Sequence, residues 1–117
     1  MNVCLEIHKE LGPGLFENVY EAVLADSLEH AGLNVRRQVA VPVSYKGQRI
    51  DQGFRSDLII SEKVLVELKS IEALAAVHKM EIPTYLKLSG IRLGLLINFG
   101  GSLLKGNIHR LCNGLDP

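Results

Sequence analysis

The chain has 117 residues, of which 47% are hydrophobic, and this size and composition predict one domain over residues 1–117 and exclude a disordered or low-complexity protein. The 13 Lys and Arg balance the 13 Asp and Glu, which argues against a protein that coats nucleic acid through bulk positive charge. The charge is nevertheless unevenly distributed: the net charge is −5 over residues 1–33 (one base, six acids) and +5 over the remainder (12 bases, seven acids). Two interpretations are open. The chain either presents a basic face to a phosphate backbone or has acidic helices whose faces are simply solvated.

Two helices are predicted first. Apolar residues at helical spacing predict a helix over residues 2–11, which the Gly12-Pro13-Gly14 segment ends. A second helix is predicted from Phe16 to His30, and Gly32 lies just past its end, where a helix C-terminus favours glycine. Its apolar stripe runs through Phe16, Val19, Tyr20, Val23 and Ser27, and is widened by Leu24 and Leu28.

Three strands are predicted next. Alternating apolar residues predict a strand over residues 35–45, at a sheet edge because Pro42 cannot donate to a ladder. A second strand is predicted over residues 49–60, with a bulge or bend at Gly53. A third is predicted over residues 64–69.

The rest of the chain predicts one more helix and two strands. The helix extends from Glu72 to Ser89, where Pro83 predicts a kink or a break into two helices. A near-continuous apolar run over residues 91–99 predicts a strand buried on both faces, and a short strand is predicted over residues 108–112. The order α-α-β-β-β-α-β-β predicts an α/β fold with a mixed central sheet flanked by helices.

The two cysteines, Cys4 and Cys112, are too few for a disulfide framework, which predicts buried, reduced thiols in the cytoplasm. No apolar run approaches the ~20 residues of a membrane span, and the N-terminus lacks the basic and apolar regions of a signal peptide. A cytoplasmic location is therefore expected, with no membrane partner.

The hairpin of the second and third predicted strands carries the most chemical information. If residues 61–63 are its loop, Asp57 lies directly opposite Glu67, and Lys69 shares the strand face of Glu67. Two opposed carboxylates destabilise a hairpin unless positive charge lies near them. That charge is either Lys69, in a surface salt bridge, or a divalent cation such as Mg²⁺. With a cation, two acids and a lysine form an arrangement suited to cleaving phosphodiesters.

Asp57, followed across the hairpin by Glu67-Leu68-Lys69, resembles the PD-(D/E)XK nuclease signature, and the α-β-β-β-α-β order is similar to the restriction-endonuclease-like core of that superfamily. The segment Gly14-Leu15-Phe16-Glu17-Asn18-Val19-Tyr20 resembles the motif that names the GxxExxY protein family, a prokaryotic branch of it. The resemblance covers nearly the whole chain and includes residues 8–15, Tyr85-Leu86-Lys87 and residues 94–100.

The resemblance implies a site and a cofactor. Asp57 and Glu67 are similar to the acids that bind Mg²⁺ or Mn²⁺, with the Leu68 carbonyl as an implied backbone ligand. Lys69 is similar to the catalytic lysine, and Glu17 to an additional acid near the metal. From the residues alone, Glu17 is equally a first-turn glutamate favoured by the helix dipole.

The later helix departs from the family pattern, in which a glutamine is followed four residues on by tyrosine. Here Glu81 precedes Tyr85, and a glutamate can only accept hydrogen bonds, so it would either repel Asp57 and Glu67 or join them as a ligand. The candidate substrate-contacting residues are Tyr85, Glu81, Tyr20 and Arg55, and Arg36, Arg37 and Arg49 are candidate phosphate contacts unless they only line a solvated strand. His8 and His78 also match the family and are predicted to be packing residues.

Three functions follow in order of preference. The first is a Mg²⁺- or Mn²⁺-dependent nuclease that acts on DNA. A core of this size has little room for elements that grip DNA, so a homodimer or a larger partner is expected to supply them. The alternative is a catalytically inactive nuclease fold kept as a binding or assembly module, which Glu81 and the small size favour. The third is a toxin-like or RNA-directed nuclease.

Overall fold

The computed structural model describes residues 2–113, which form three helices and five strands. In chain order these are α1 (Asn2–Leu11), α2 (Glu17–His30), β1 (Val35–Tyr45), β2 (Gln48–Ile60), β3 (Val64–Lys69), α3 (Ala76–Ser89), β4 (Leu93–Asn98) and β5 (Ile108–Cys112). Within the described range, no helix has both the length and the hydropathy needed to cross a bilayer.

The strands form one mixed sheet in the order β1-β2-β3-β4-β5. β3 and β4 are parallel, and the other neighbouring pairs are antiparallel. A parallel pair requires a crossover connection, and α3 provides it. β1 lies at one edge of the sheet, where Pro42 predicts it. The predicted α/β fold with a mixed sheet is confirmed.

Helices cover both faces of the sheet, and each face has its own apolar cluster. On one face, α1 and α2 pack on the sheet through a cluster that includes Cys4, Ile7, Tyr20 and Leu24 against Leu58, Val66, Leu68 and Ile97. On the other face, α3 packs through Ile82 and Leu86 on Leu65 and Leu96. Because successive strand residues alternate between faces, Glu67 lies on the α3 side, two residues after Leu65.

Helix α3 begins at Ala76, so the predicted start at Glu72 is wrong. The backbone just before Glu72 is bound by a side chain from β4 instead of by helical partners. The Ile71 N–H donates to Asn98 Oδ1, and Asn98 Nδ2 donates to the Ile71 carbonyl, both at 3.0 Å. Pro83 does not divide α3, which continues to Ser89. The other predicted bounds differ from the structure by two residues at most.

β1 and β2 continue beyond the last residue of β2 that pairs with β3 as a two-stranded ribbon, which we define as residues 39–56. β2 pairs with β1 along its whole length but with β3 only over Leu58–Ile60. The β1–β2 register shifts between Val41 and Val43, where a Cβ on Gly53 would lie 1.9 Å from the Val41 carbonyl oxygen. The predicted irregularity at Gly53 is confirmed, and only glycine fits there.

The two cysteines differ in exposure, and both thiols are free. Cys4 is buried on the inner face of α1, and burial raises the pKa of its thiol. The predicted burial of Cys112 is wrong, because this residue ends the edge strand β5 and is exposed.

Candidate active site

The β2–β3 hairpin brings the two predicted carboxylates together. Its loop is the predicted three residues, since Ile60 pairs with Val64, and Ser61 and Glu62 adopt positive φ values of 52° and 56°. One residue beyond the last paired position, the Asp57 N–H donates to Glu67 Oε1 at 3.3 Å.

Asp57 and Glu67 both hold protons more tightly than exposed acids do. Only 9% of Glu67 is exposed, and burial, followed by the charge of Asp57, raises its pKa to about 8. Burial also raises the pKa of Asp57, although hydrogen bonds from Leu68 and Gln38 oppose that rise. The pair therefore lacks sufficient positive charge to ionise fully at neutral pH.

Lys69 ends β3 beside this pair. Its charge lowers the pKa of both Asp57 and Glu67, and its carbonyl accepts from the Phe99 N–H at 2.9 Å. None of the four ion pairs found within residues 2–113 includes Lys69, so its ammonium group is not neutralised by a direct pair in that range.

The Leu68 backbone faces the same place. In a strand, the N–H and C=O of one residue point to the same side. The Leu68 N–H donates to Asp57 Oδ2 at 2.8 Å, whereas the Lys69 carbonyl points to β4. The Leu68 carbonyl therefore points toward β2 and Asp57.

Two residues that sequence reasoning missed complete this end of the sheet. Glu21 of α2 is buried and accepts hydrogen bonds from Arg37 Nε at 3.0 Å and from Gln38 Nε2. Gln38 Nε2 also donates to Asp57 Oδ1 at 3.2 Å. The available signal was the helical period, which places Glu21 on the same buried face as Leu24.

The two predicted α2 residues lie elsewhere. Glu17 is exposed in the first turn of the helix, one turn before Glu21. Tyr20 is fully buried and stacked on Phe99 at 4.5 Å between ring centroids, and its hydroxyl donates to the Gly12 carbonyl. Tyr20 therefore organises the loop between α1 and α2 and is closed to a substrate.

Helix α3 brings Glu81 and Tyr85 to the site. The Tyr85 hydroxyl donates to Glu81 Oε2 at 3.0 Å, and the Tyr85 ring stacks on Phe54 of the ribbon with centroids 4.0 Å apart. Burial and then this hydrogen bond raise the pKa of Tyr85 to about 12. The charge of Glu81 contributes to the raised pKa of Glu67, so Glu81 repels the Glu67 carboxylate.

The candidate arginines are mostly engaged within the chain. Three pair with acids: Arg36 with Glu62, Arg37 with Glu21 and Arg49 with Asp51, each at 3.0 Å. Arg55 is exposed, and its Nη1 donates to the Gln38 carbonyl at 2.9 Å, close to the carboxylates.

The two histidines bind backbone groups. His8 Nε2 donates to the Gly101 carbonyl at 2.9 Å, and the Ala75 N–H donates to His78 Nδ1 at 2.8 Å at the start of α3. Both contacts hold loops in place.

The donor set suits a hard divalent cation. Mg²⁺ binds through one or two carboxylates and keeps several waters, and Asp57, Glu67 and the Leu68 carbonyl are all oxygen donors. Residues 2–113 contain no group of three His, Cys, Asp or Glu side chains placed to share an ion, so waters and substrate oxygens would fill the remaining positions. The residues fit a sparsely ligated Mg²⁺ or Mn²⁺.

Comparison with known proteins gives the family and the fold of the chain. The family model of the PD-(D/E)XK nuclease superfamily matches residues 1–111. The crystal structure of SSO0001 is similar over 85% of this chain and 50% of that one, with a TM-score of 0.57 and 21% identity. This likeness shows the fold alone, and the chain spans half the length of that protein. No curated protein matches the sequence.

Proposed function

Because the chain belongs to the PD-(D/E)XK nuclease superfamily, we propose that it is a Mg²⁺- or Mn²⁺-dependent nuclease that hydrolyses DNA phosphodiester bonds with an activated water. The observation that carries this proposal is the pair of half-buried Asp57 and buried Glu67, opposed across β2 and β3 beside Lys69. Membership of the GxxExxY branch, indicated by residues 14–20, belongs to the same proposal, as do a cytoplasmic location and a homodimer.

The cation would be held by Asp57, Glu67 and the Leu68 carbonyl. When bound, it lowers the pKa of an attacking water and polarises the phosphoryl oxygen. Lys69 is placed to neutralise charge that develops on the phosphate or to orient the water. The Leu68 N–H, which donates to Asp57 Oδ2, would help to hold this carboxylate in place.

The substrate side of the proposal rests on the exposed surface around the pair. Arg55 supplies a cation next to Gln38, and half-buried Tyr85 lies where α3 meets the ribbon, with its ring stacked on Phe54. The role that the resemblance implies for Glu17, as an additional acid near the metal, stays a prediction. The Glu17 carboxylate is exposed, whereas Glu21, one turn later in α2, is buried.

A cleavage assay on circular and linear DNA, single- and double-stranded, with RNA in parallel, tests the proposal. We expect the parent chain to cut with Mg²⁺ or Mn²⁺ and not with EDTA, and Glu67→Gln and Lys69→Ala to lose about 100-fold or more of the rate. Glu62→Gln is the matched control, because Glu62 is an exposed acid in the loop of the same hairpin. Equal rates in Glu67→Gln and Glu62→Gln would refute the site.

A second candidate is an inactive binding or assembly module, and Glu81 is the observation that favours it. The family pattern has a neutral glutamine at the position of Glu81, whereas the charge of Glu81 repels Glu67. Under the first proposal, Glu81→Gln should cut at least as well as the parent, because the change removes a like charge and adds a donor. A parent and a Glu81→Gln protein that both fold, bind Mn²⁺ and do not cut would favour the module.

A further inference from the structure

Gln38 has an unusual backbone for a strand residue. Its φ is 50°, although it lies within β1 between Arg37, paired with Leu58, and Val39, paired with Ser56. Other than glycine, few residues adopt a positive φ, and such strain persists only where the surroundings compensate for it. The position opposite Gln38 in this register is Asp57.

The Gln38 side chain uses both of its amide hydrogens on carboxylates. Nε2 donates to Asp57 Oδ1 at 3.2 Å and to Glu21 Oε1 at 2.5 Å. Asp57 Oδ2 accepts the Leu68 N–H at 2.8 Å. One donor from β1 and one from β3 therefore hold the two oxygens of Asp57 and fix its side-chain rotation.

Glu21 determines which way the Gln38 amide points. Both Glu21 oxygens are occupied, one by Arg37 Nε and one by Gln38 Nε2, and only 5% of the residue is exposed. With the amide reversed, the Gln38 oxygen would face two carboxylates and find no donor. Glu21 thus anchors Gln38 with its donors toward Asp57.

We propose that Gln38, anchored by Glu21, is a positioning residue that aims the Asp57 carboxylate at the cation. This inference rests on the proposed function, because it concerns the same site. Partners of this kind typically change metal affinity 10–100-fold when they are removed. A role confined to holding β1 in shape would change the stability of the fold and leave the orientation of Asp57 unaltered.

The test compares Gln38→Gly and Gln38→Asn with the parent chain. Glycine adopts a positive φ without strain, and asparagine tolerates it while its amide is one methylene shorter. Lys46→Gly is the matched control, since Lys46 also has a φ of 50° but lies in the turn at the far end of the ribbon. The apo melting temperature of each protein shows whether it folds.

Two readouts are measured without DNA. Titration with Mn²⁺, followed by the thermal shift, gives the apparent Kd, which we expect to rise about 10–100-fold in both Gln38 variants and to stay unchanged in Lys46→Gly. Amide hydrogen exchange without metal reports on the Leu68 N–H, which we expect to exchange faster in both Gln38 variants. The Phe99 N–H, bound to the Lys69 carbonyl, is the internal reference.

The outcomes separate the inference from the function on which it rests. A parent chain that gains no stability from Mn²⁺ refutes the metal site, and Leu68 exchange then still decides whether Gln38 orients Asp57. Unchanged Leu68 exchange in both Gln38 variants overturns the inference, as does unchanged Mn²⁺ affinity where the parent binds.

Discussion

At Glu67, burial outweighs the charges that would keep the carboxylate ionised. Its pKa of about 8 means that it holds a proton at neutral pH when no cation is bound, even with Lys69 nearby. A divalent cation must displace that proton, so binding at neutral pH releases a proton to solvent. The raised pKa therefore couples metal affinity to pH.

Stability without metal should fall as the pH rises from about 5 to about 8. Glu67 has a folded pKa of about 8 and an ordinary value of 4.5, so its contribution is complete below 4.5 and is lost as the pH passes the folded pKa. The loss is on the order of a few kcal/mol in the free energy of unfolding. Urea denaturation in EDTA at several pH values measures it, and Glu67→Gln should flatten the profile.

Asp57 keeps some slope in that variant, because burial raises its pKa in the same direction. Glu62→Gln should retain the full pH dependence, since Glu62 is exposed. Parallel profiles for the parent and Glu67→Gln would contradict the burial of a protonated Glu67.

The residues of the site differ in how far the sequence reveals them. Asp57, Glu67 and Lys69 are readable because a three-residue loop and the two-residue period of a strand fix their relation. Glu21 and Gln38 are harder to find. The helical period places Glu21 on the face of Leu24, but a charged helix residue is ordinarily assigned to solvent, and its contact with the strand residue Gln38 depends on how α2 packs across β1.

At the scale of elements, local pattern predicted every helix and strand in order, and failed where tertiary contacts intervene. Helical propensity continues N-terminally to Glu72, but Asn98, 27 residues away from Ile71, captures both backbone groups of Ile71. A local sequence pattern cannot show that a distant side chain will compete with the helix for these backbone groups.

Helix α3 offers a stability test at Pro83, which is exposed and lacks the N–H that would bond to the Lys79 carbonyl. We expect Pro83→Ala to raise the free energy of unfolding by about 1–3 kcal/mol, less a few tenths for the freer unfolded chain. Urea denaturation measures this change. Thr84→Ala, at the next exposed position, should stay within about 0.5 kcal/mol of the parent. A loss of stability in Pro83→Ala would show that α3 requires the geometry that proline imposes.

At the scale of the whole molecule, Asn98 joins the segment after β3, at Ile71, to the loop of residues 100–107 that leads into β5. Besides Ile71, it accepts from the Gly100 N–H and donates to Asn107 Oδ1, each at 3.0 Å. It is fully buried at the end of β4, next to the segment that follows Lys69. The connection thus ties the end of β3 to the loop that leads into the edge strand β5.

Asn98→Ala should lower the free energy of unfolding by about 2–4 kcal/mol, because several buried polar groups lose their partner. Cleavage should fall as well, since the backbone beyond Lys69 loses its support. Urea denaturation and the cleavage assay measure the two effects. Asn113→Ala is the control, because Asn113 is exposed and its contact with Arg92 runs through the backbone. An unchanged free energy of unfolding in Asn98→Ala would show that the surrounding loops hold this region without the Asn98 side chain.

The ribbon of residues 39–56 gives the molecule two levels of cooperativity. Its strands pair with each other and pack on α3, but they lack the neighbouring strand that β3 provides further down β2. Segments with fewer buried contacts open at a smaller free energy than the whole domain does. The ribbon can therefore melt locally down to Gln38 and Asp57, while the β3–β4 pair beneath keeps Glu67 and Lys69 in register.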